Sequence, residues 1–170
     1  MTNTPHPSMG GKVDASSDFV WPPAIYASAA VIAGILSWLL PLPPFLSEAG
    51  GWLWPAMGAL VFLCGVALAV AARQRFSSAG TEVRPTRPTT VIVQQGVYGH
   101  TRNPMYLGMT LMLLGLGIAS RSTWFLLALV IAVYAVTKLA IEREERYLDA
   151  KFGDTYRAYR ARVPRWFGPF

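Results

Sequence analysis

The chain is poor in the residues that bind transition metals or staple loops. Its single cysteine, Cys64, excludes an intrachain disulfide, and with only His6 and His100 beside it no spacing resembles a zinc site. Cys64 falls in the middle of an apolar run, where a buried small hydrophobe is its ordinary role. Charge is scarce too: 14% of residues are Asp, Glu, Lys or Arg, against about 25% in a soluble domain. No charged residue occurs between Asp18 and Glu48, between Glu48 and Arg73, or between Arg102 and Arg121, and only Arg121 interrupts the sequence from there to Lys138. A phosphate-cradling loop, a Gly-x-Ser-x-Gly elbow and a His-Glu-x-x-His pair are all missing, so hydrolase and nucleotidase chemistries have no motif to rest on. Gly115-Leu116-Gly117 lacks the third glycine and the preceding strand of a dinucleotide fingerprint.

What fills the space is apolar: 53% of the chain is hydrophobic. A spanning helix needs roughly 20 apolar residues, and the charge-free intervals supply them. The sequence predicts an all-α integral membrane protein with about four transmembrane or hairpin helices, at 24–41, 52–72, 104–119 and 122–140, and a cytoplasmic C-terminal helical extension. Sixteen residues of helix reach only about 24 Å, short of a hydrocarbon core of roughly 30 Å. The third and fourth segments therefore either dip as a hairpin or gain length beyond the apolar run. Helix-favouring sequence continues the fourth through about Lys151. Residues 1–18, rich in Pro, Gly, Ser and Thr, read as a disordered tail, and 19–170 as one membrane domain. The first apolar stretch is too long for a signal peptide and is expected to stay as a span.

Arginine sets the orientation. Segment 73–103 carries Arg73, Arg75, Arg84, Arg87 and Arg102, and the tail 141–170 carries Arg143, Arg146, Arg157, Arg160, Arg162 and Arg165 with Lys151. The two opposite loops hold only Arg121. By the positive-inside rule, both termini and the Arg-rich loops are cytoplasmic, which in a bacterium makes this an inner-membrane protein. The net charge of +6 then favours anionic lipid headgroups; no nucleic-acid recognition motif accompanies it.

Local signals refine the picture. Pro41-Leu42-Pro43-Pro44 makes a stiff outer turn. Gly58 and Gly65 lie seven residues apart, on one helix face suited to close packing in a bilayer. Thr90-Val91-Ile92-Val93 is β-branched and reads as extended. Pro104 suits the first turn of the third helix, with Asn103 as its cap.

Two polar segments flank the second hairpin: Gly96 to Gly108, and Ile141 to Leu148. The plain reading of Arg102-Asn103-Pro104 is a membrane anchor followed by a helix start; the sharper one is a binding edge of helix amides and a guanidinium. Tyr98 and Tyr106 suit an interfacial belt, or stacking on a purine and cation–π attraction to a sulfonium. Glu142, Glu144 and Glu145 among Arg143 and Arg146 suit a solvated helix face. Yet Glu144 and Glu145 point about 100° apart, so one can face the bundle while the other meets water or Arg. His100 is the only side chain near these segments that titrates around neutrality, and so the one candidate base.

Taken together, Gly96, Tyr98, Arg102, Pro104, Tyr106 and Gly108, then Glu144, Glu145 and Leu148, then Phe152-Gly153, Tyr156 and Tyr159, resemble the integral membrane methyltransferases that include isoprenylcysteine carboxyl methyltransferase and the phospholipid N-methyltransferases. The resemblance covers about residues 52–167 and implies S-adenosylmethionine as cofactor. It implies binding positions at Thr90, Val91, Ile92, Val93, Tyr98, Arg102, Asn103, Pro104, Met105, Tyr106, Glu144 and Glu145, and no metal. It implies a lipophilic or small membrane-accessible methyl acceptor: a carboxylate, amine or thiol. Two departures bear on that acceptor. Asn103 stands where the carboxyl methyltransferases have His, and Ala140 where they carry the Arg that meets a substrate carboxylate. Two other classes compete. The tail Phe152-Gly153, Tyr156, Tyr159 and Val163-Pro164 also looks like the ends of NADPH-dependent sterol reductases, and a non-catalytic four-helix membrane protein would use the same small-residue faces.

Overall fold

The structure, a computed structural model, describes residues 21–78 and 92–167. The expectations of a disordered N-terminal tail and of binding positions at Thr90 and Val91 fall outside those residues. Six α-helices are described: α1 (Pro22–Leu39), α2 (Leu53–Ser78), α3 (Pro104–Ser120), α4 (Thr123–Val136), α5 (Glu142–Phe152) and α6 (Asp154–Arg162). A π-turn at Thr137–Ile141 joins α4 to α5, so one unbroken helical run extends from Thr123 to Phe152. Ile92 and Val93 belong to no strand.

Three helical runs are long and apolar enough to cross a bilayer: Pro22–Leu39, Leu53–Ser78 and Thr123–Phe152. The protein is an integral membrane protein by this measure. Helix α3 has 17 residues and reaches about 26 Å, so it is the short member of the bundle. The outward faces of the helices are apolar, with Val31, Ile32, Leu60, Leu63, Val130 and Ile131 all exposed, as a lipid-facing surface requires.

Helix α3 sits at the centre, touching α1, α2 and α4. Its seam with α2 is made of glycine. A Cβ on Gly65 would stand 2.5 Å from the Gly108 carbonyl oxygen, and one on Gly115 would stand 2.6 Å from that of Gly58. The equal spacing of Gly58 to Gly65 and Gly108 to Gly115 lets two antiparallel backbones meet at both levels. Lipid tails are as apolar as leucine, so close van der Waals contact must drive this association. The seam also corrects the expectation for Cys64. That residue is exposed on the outward side of α2, because the inward side is taken by glycine.

On the other side, α1 packs on α4 and α3. Tyr26 and Thr110 share a hydroxyl hydrogen bond of 2.8 Å, and Ser37 and Ser122 one of 2.5 Å. The proline-rich loop is tied to the α3–α4 turn: Trp124 Nε1 donates to the Leu40 carbonyl at 2.7 Å and Thr123 Oγ1 to that of Pro43 at 2.6 Å. Arg121 makes that turn in the left-handed region, with φ 56°. A core of Tyr26, Leu113, Ala132, Val136 and Ile141 lies inside the bundle. A second cluster of Tyr156, Tyr159 and Val163 anchors α6 against Ile92, Leu148 and Phe152.

Candidate functional site at the ends of α3 and α5

The two polar segments meet where α3 begins and α5 leaves the bundle. The short turn Gly96–Gly99 precedes α3 and buries Tyr98. Phe76 of α2 meets the Tyr98 ring edge to face at 5.2 Å, and Tyr159 donates its hydroxyl to the Tyr98 carbonyl at 2.8 Å. The turn is thereby clamped between α2 and α6. Gly96 is needed there: its φ is +63°, and a Cβ would stand 2.8 Å from Arg75 Nε.

Asn103 occupies the cap position of α3, but its side chain does not cap the helix. This corrects the expectation. The amide is drawn instead to the C-terminal segment, where Nδ2 donates to the Arg165 carbonyl at 2.9 Å. Thr101 takes over the local role, accepting from the Asn103 backbone N–H at 3.2 Å and donating to the same Arg165 carbonyl at 3.1 Å. The backbone N–H of Arg102 donates to the Pro164 carbonyl at 2.9 Å. Residues 163–166 thus lie as a strap across the start of α3.

The adjacent glutamates of α5 diverge in what they touch. Glu145 is committed to arginine: Arg102 Nη1 donates to its Oε1 at 2.9 Å, and Arg165 donates through Nε at 3.0 Å and Nη2 at 2.6 Å. This is a nearly buried, charge-assisted cluster. Arg102 Nη1 also donates to the Tyr156 hydroxyl at 3.2 Å, and its Nε is buried without a hydrogen-bond partner.

Glu144 faces a different way. The Tyr106 hydroxyl donates to its Oε2 at 3.2 Å. The side chain is open to solvent, yet its carboxylate lies deep within the protein mass. Both statements hold for the wall of an open groove. Burial pushes the Glu144 carboxyl above the usual carboxylate range; the Tyr106 hydrogen bond opposes this and the Glu145 charge adds to it. Burial, then the charge of Glu144, pushes the Tyr98 hydroxyl up as well, so the buried turn and the groove share one electrostatic environment.

Tyr98, Tyr106 and Glu144 therefore gather at one place, while Arg102, Asn103 and Glu145 bind other parts of the chain beside it. Pro104 is buried in the first turn of α3, Met105 is half-buried, Ile92 packs on the Tyr156 cluster, and Val93 is half-buried. His100 lines another pocket, of about 190 Å³, with Leu68, Val97, Thr101, Leu107, Trp166 and Phe167. None of Tyr98, Tyr106 and Glu144 lines that pocket. Sequence reasoning missed Thr101 and Arg165. The one signal for Arg165 was the Glu144-Glu145 pair itself, which needs a compensating cation.

A family model described as phospholipid methyltransferase matches residues 53–155. The chain belongs to the phospholipid methyltransferase family. It is a membrane methyltransferase, and this membership favours neither the reductase nor the non-catalytic reading. The matched stretch runs from the start of α2 into α6 and includes the glycine seam, Tyr106 and both glutamates; the strap lies beyond it. An uncharacterized protein of Haemophilus influenzae is 41% identical over 64 residues, which are 36% of this chain and 98% of that relative. No solved structure matches the chain.

Proposed function

We propose that this membrane methyltransferase uses S-adenosylmethionine and acts on a lipophilic or small membrane-accessible acceptor, with the cofactor held in the groove of Tyr98, Tyr106 and Glu144. The observation that carries this reading is the Glu144 carboxylate, reachable from solvent and met by the Tyr106 hydroxyl across two helix ends. These residues fit the group. A carboxylate suits an ammonium or ribose hydroxyls, and aromatic rings suit a sulfonium or a purine. When bound, the cofactor would supply a methyl group that is already electrophilic. The chain's own contribution is then to position and to exclude water. Glu144 holds the polar end, Tyr106 orients Glu144, and the clamped turn carrying Tyr98 closes one side.

Arg102, Asn103 and Glu145 support the groove in this reading, since their polar atoms are spent on one another and on the strap. Arg102 and Arg165 are both tied to Glu145, and Ala140 carries no charge, so a carboxylate acceptor gains no cation from these positions. A deprotonating role for His100 is left out because its pocket has other walls. The concentration of Arg in 73–103 and 141–170 supports a cytoplasmic groove and cytoplasmic termini, with the acceptor arriving from the bilayer.

Calorimetric titration of S-adenosylhomocysteine into detergent-purified protein, with NADPH in parallel, tests the proposal. Saturable binding that Glu144→Gln removes supports it. Binding of NADPH alone, or of neither by folded protein, overturns it.

A further inference from the structure

The C-terminal strap is bonded to the site from both sides through one residue. The backbone carbonyl of Arg165 accepts from Thr101 and Asn103 at the start of α3, at 3.1 and 2.9 Å. Its guanidinium reaches α5 and takes Glu145 in a two-point contact at 3.0 and 2.6 Å. Glu145 adjoins Glu144, and two unscreened carboxylates in a low-dielectric setting repel.

We propose that Arg165 is a positioning residue for the groove: it holds Glu145 against the start of α3 and offsets its charge, so that Glu144 stays turned toward Tyr106. The idea rests on the groove reading above and extends it beyond the family-matched stretch, which ends at residue 155. The charges around Glu144 support it. Tyr106 faces it from α3, Tyr98 from the preceding turn and Glu145 from α5, while Tyr156 of α6 and the guanidinia of Arg102 and Arg165 lie around Glu145. Arg102 is buried and also bound to Tyr156, so its loss would disturb the second core. Arg165 is about a third exposed and can be replaced with less harm to packing.

Without Arg165, Glu145 keeps one arginine, and its charge acts more fully on Glu144. The proton on Glu144 is then held to a higher pH. Two readouts follow. Infrared difference spectra against Glu144→Gln report the Glu144 carboxyl directly. Arg165→Gln should raise the pH at which it ionises, and Arg165→Lys, which keeps the charge, should leave it near the wild-type position. In S-adenosylhomocysteine titrations, Arg165→Gln should bind roughly tenfold more weakly at neutral pH, with the low-pH loss of binding moved upward. Unchanged ionisation of Glu144 in folded Arg165→Gln overturns the proposal, as does an equal loss of affinity at every pH in both variants. Should the wild type bind no S-adenosylhomocysteine, the groove reading fails, and the infrared measurement still decides whether Arg165 governs Glu144.

Discussion

The Tyr106 hydroxyl and the Glu144 carboxylate, 38 residues apart in sequence, meet at 3.2 Å and join the first turn of α3 to the first turn of α5. A hydrogen bond to a charged group is worth about 1.5–3 kcal/mol. Tyr106→Phe keeps the ring and removes only the donor. It should weaken S-adenosylhomocysteine binding by roughly tenfold or more, and Glu144→Gln should weaken it further. Equal affinity in Tyr106→Phe and wild type would remove this contact from the binding account.

Glu144 should also cost stability when ionised. Its carboxyl is raised above the ordinary value of about 4.3, so the folded state favours the protonated form. Above the folded value the cost is fully present; it is relieved as pH falls through that value toward the ordinary one. Glu144→Gln keeps an acceptor for Tyr106 and removes the charge. Thermal unfolding in detergent should show this variant more stable than wild type at neutral pH, with the gap narrowing on acidification. A variant less stable at neutral pH contradicts the argument.

The glycine seam gives a structural prediction with its own control. Gly65→Ala puts a methyl group 2.5 Å from the Gly108 carbonyl oxygen and should destabilise the bundle by about 1–3 kcal/mol. Gly34, in α1, has nothing within 4 Å of the same added atom. Gly34→Ala should be neutral, or stabilising by up to about 1 kcal/mol through helix propensity. Similar melting shifts for the two would show that the seam is looser than described.

The charge clusters of the C-terminal region should differ sharply in worth. Glu145 is 11% exposed and holds two arginines, and stripping one partner from a buried pair costs about 3–5 kcal/mol. Asp149 pairs with Arg157 at 3.0 Å on the surface, with side chains 37% and 62% exposed. Asp149→Asn should therefore change stability by less than about 1 kcal/mol. Chemical denaturation of Glu145→Gln and Asp149→Asn side by side checks the contrast, which equal losses would refute.

The bundle was legible in the sequence because charge in a bilayer is punished. Intervals without Asp, Glu, Lys or Arg fell within a few residues of the observed helices, and the continuation past Lys138 ends at Phe152, close to the expected Lys151. The meeting of Tyr106 and Glu144 followed only from the family resemblance, since neither residue is unusual at a membrane edge. The strap was not legible. Pro164-Arg165-Trp166 has no periodicity, and its binding depends on carbonyl groups that any residue would supply. Asn103 misled for a related reason: an Asn before Pro reads as a cap, and nothing local shows that Arg165 competes for its amide.

The π-turn at Thr137–Ile141 separates two quantities that a plain helix would couple. The apolar run of α4 sets the depth at which the chain leaves the bilayer. The turn beyond it sets the angular phase of everything that follows. A π-turn absorbs one residue, which on a regular helix is worth about 100° of rotation. Glu144 thus takes the bearing that uninterrupted winding would give Arg143, and a cation is exchanged for an anion at the groove without moving the membrane anchor. Removing a residue upstream of the turn would slide the helix by about 1.5 Å along its axis. Losing the turn itself would instead reverse the sign of the charge presented to the groove.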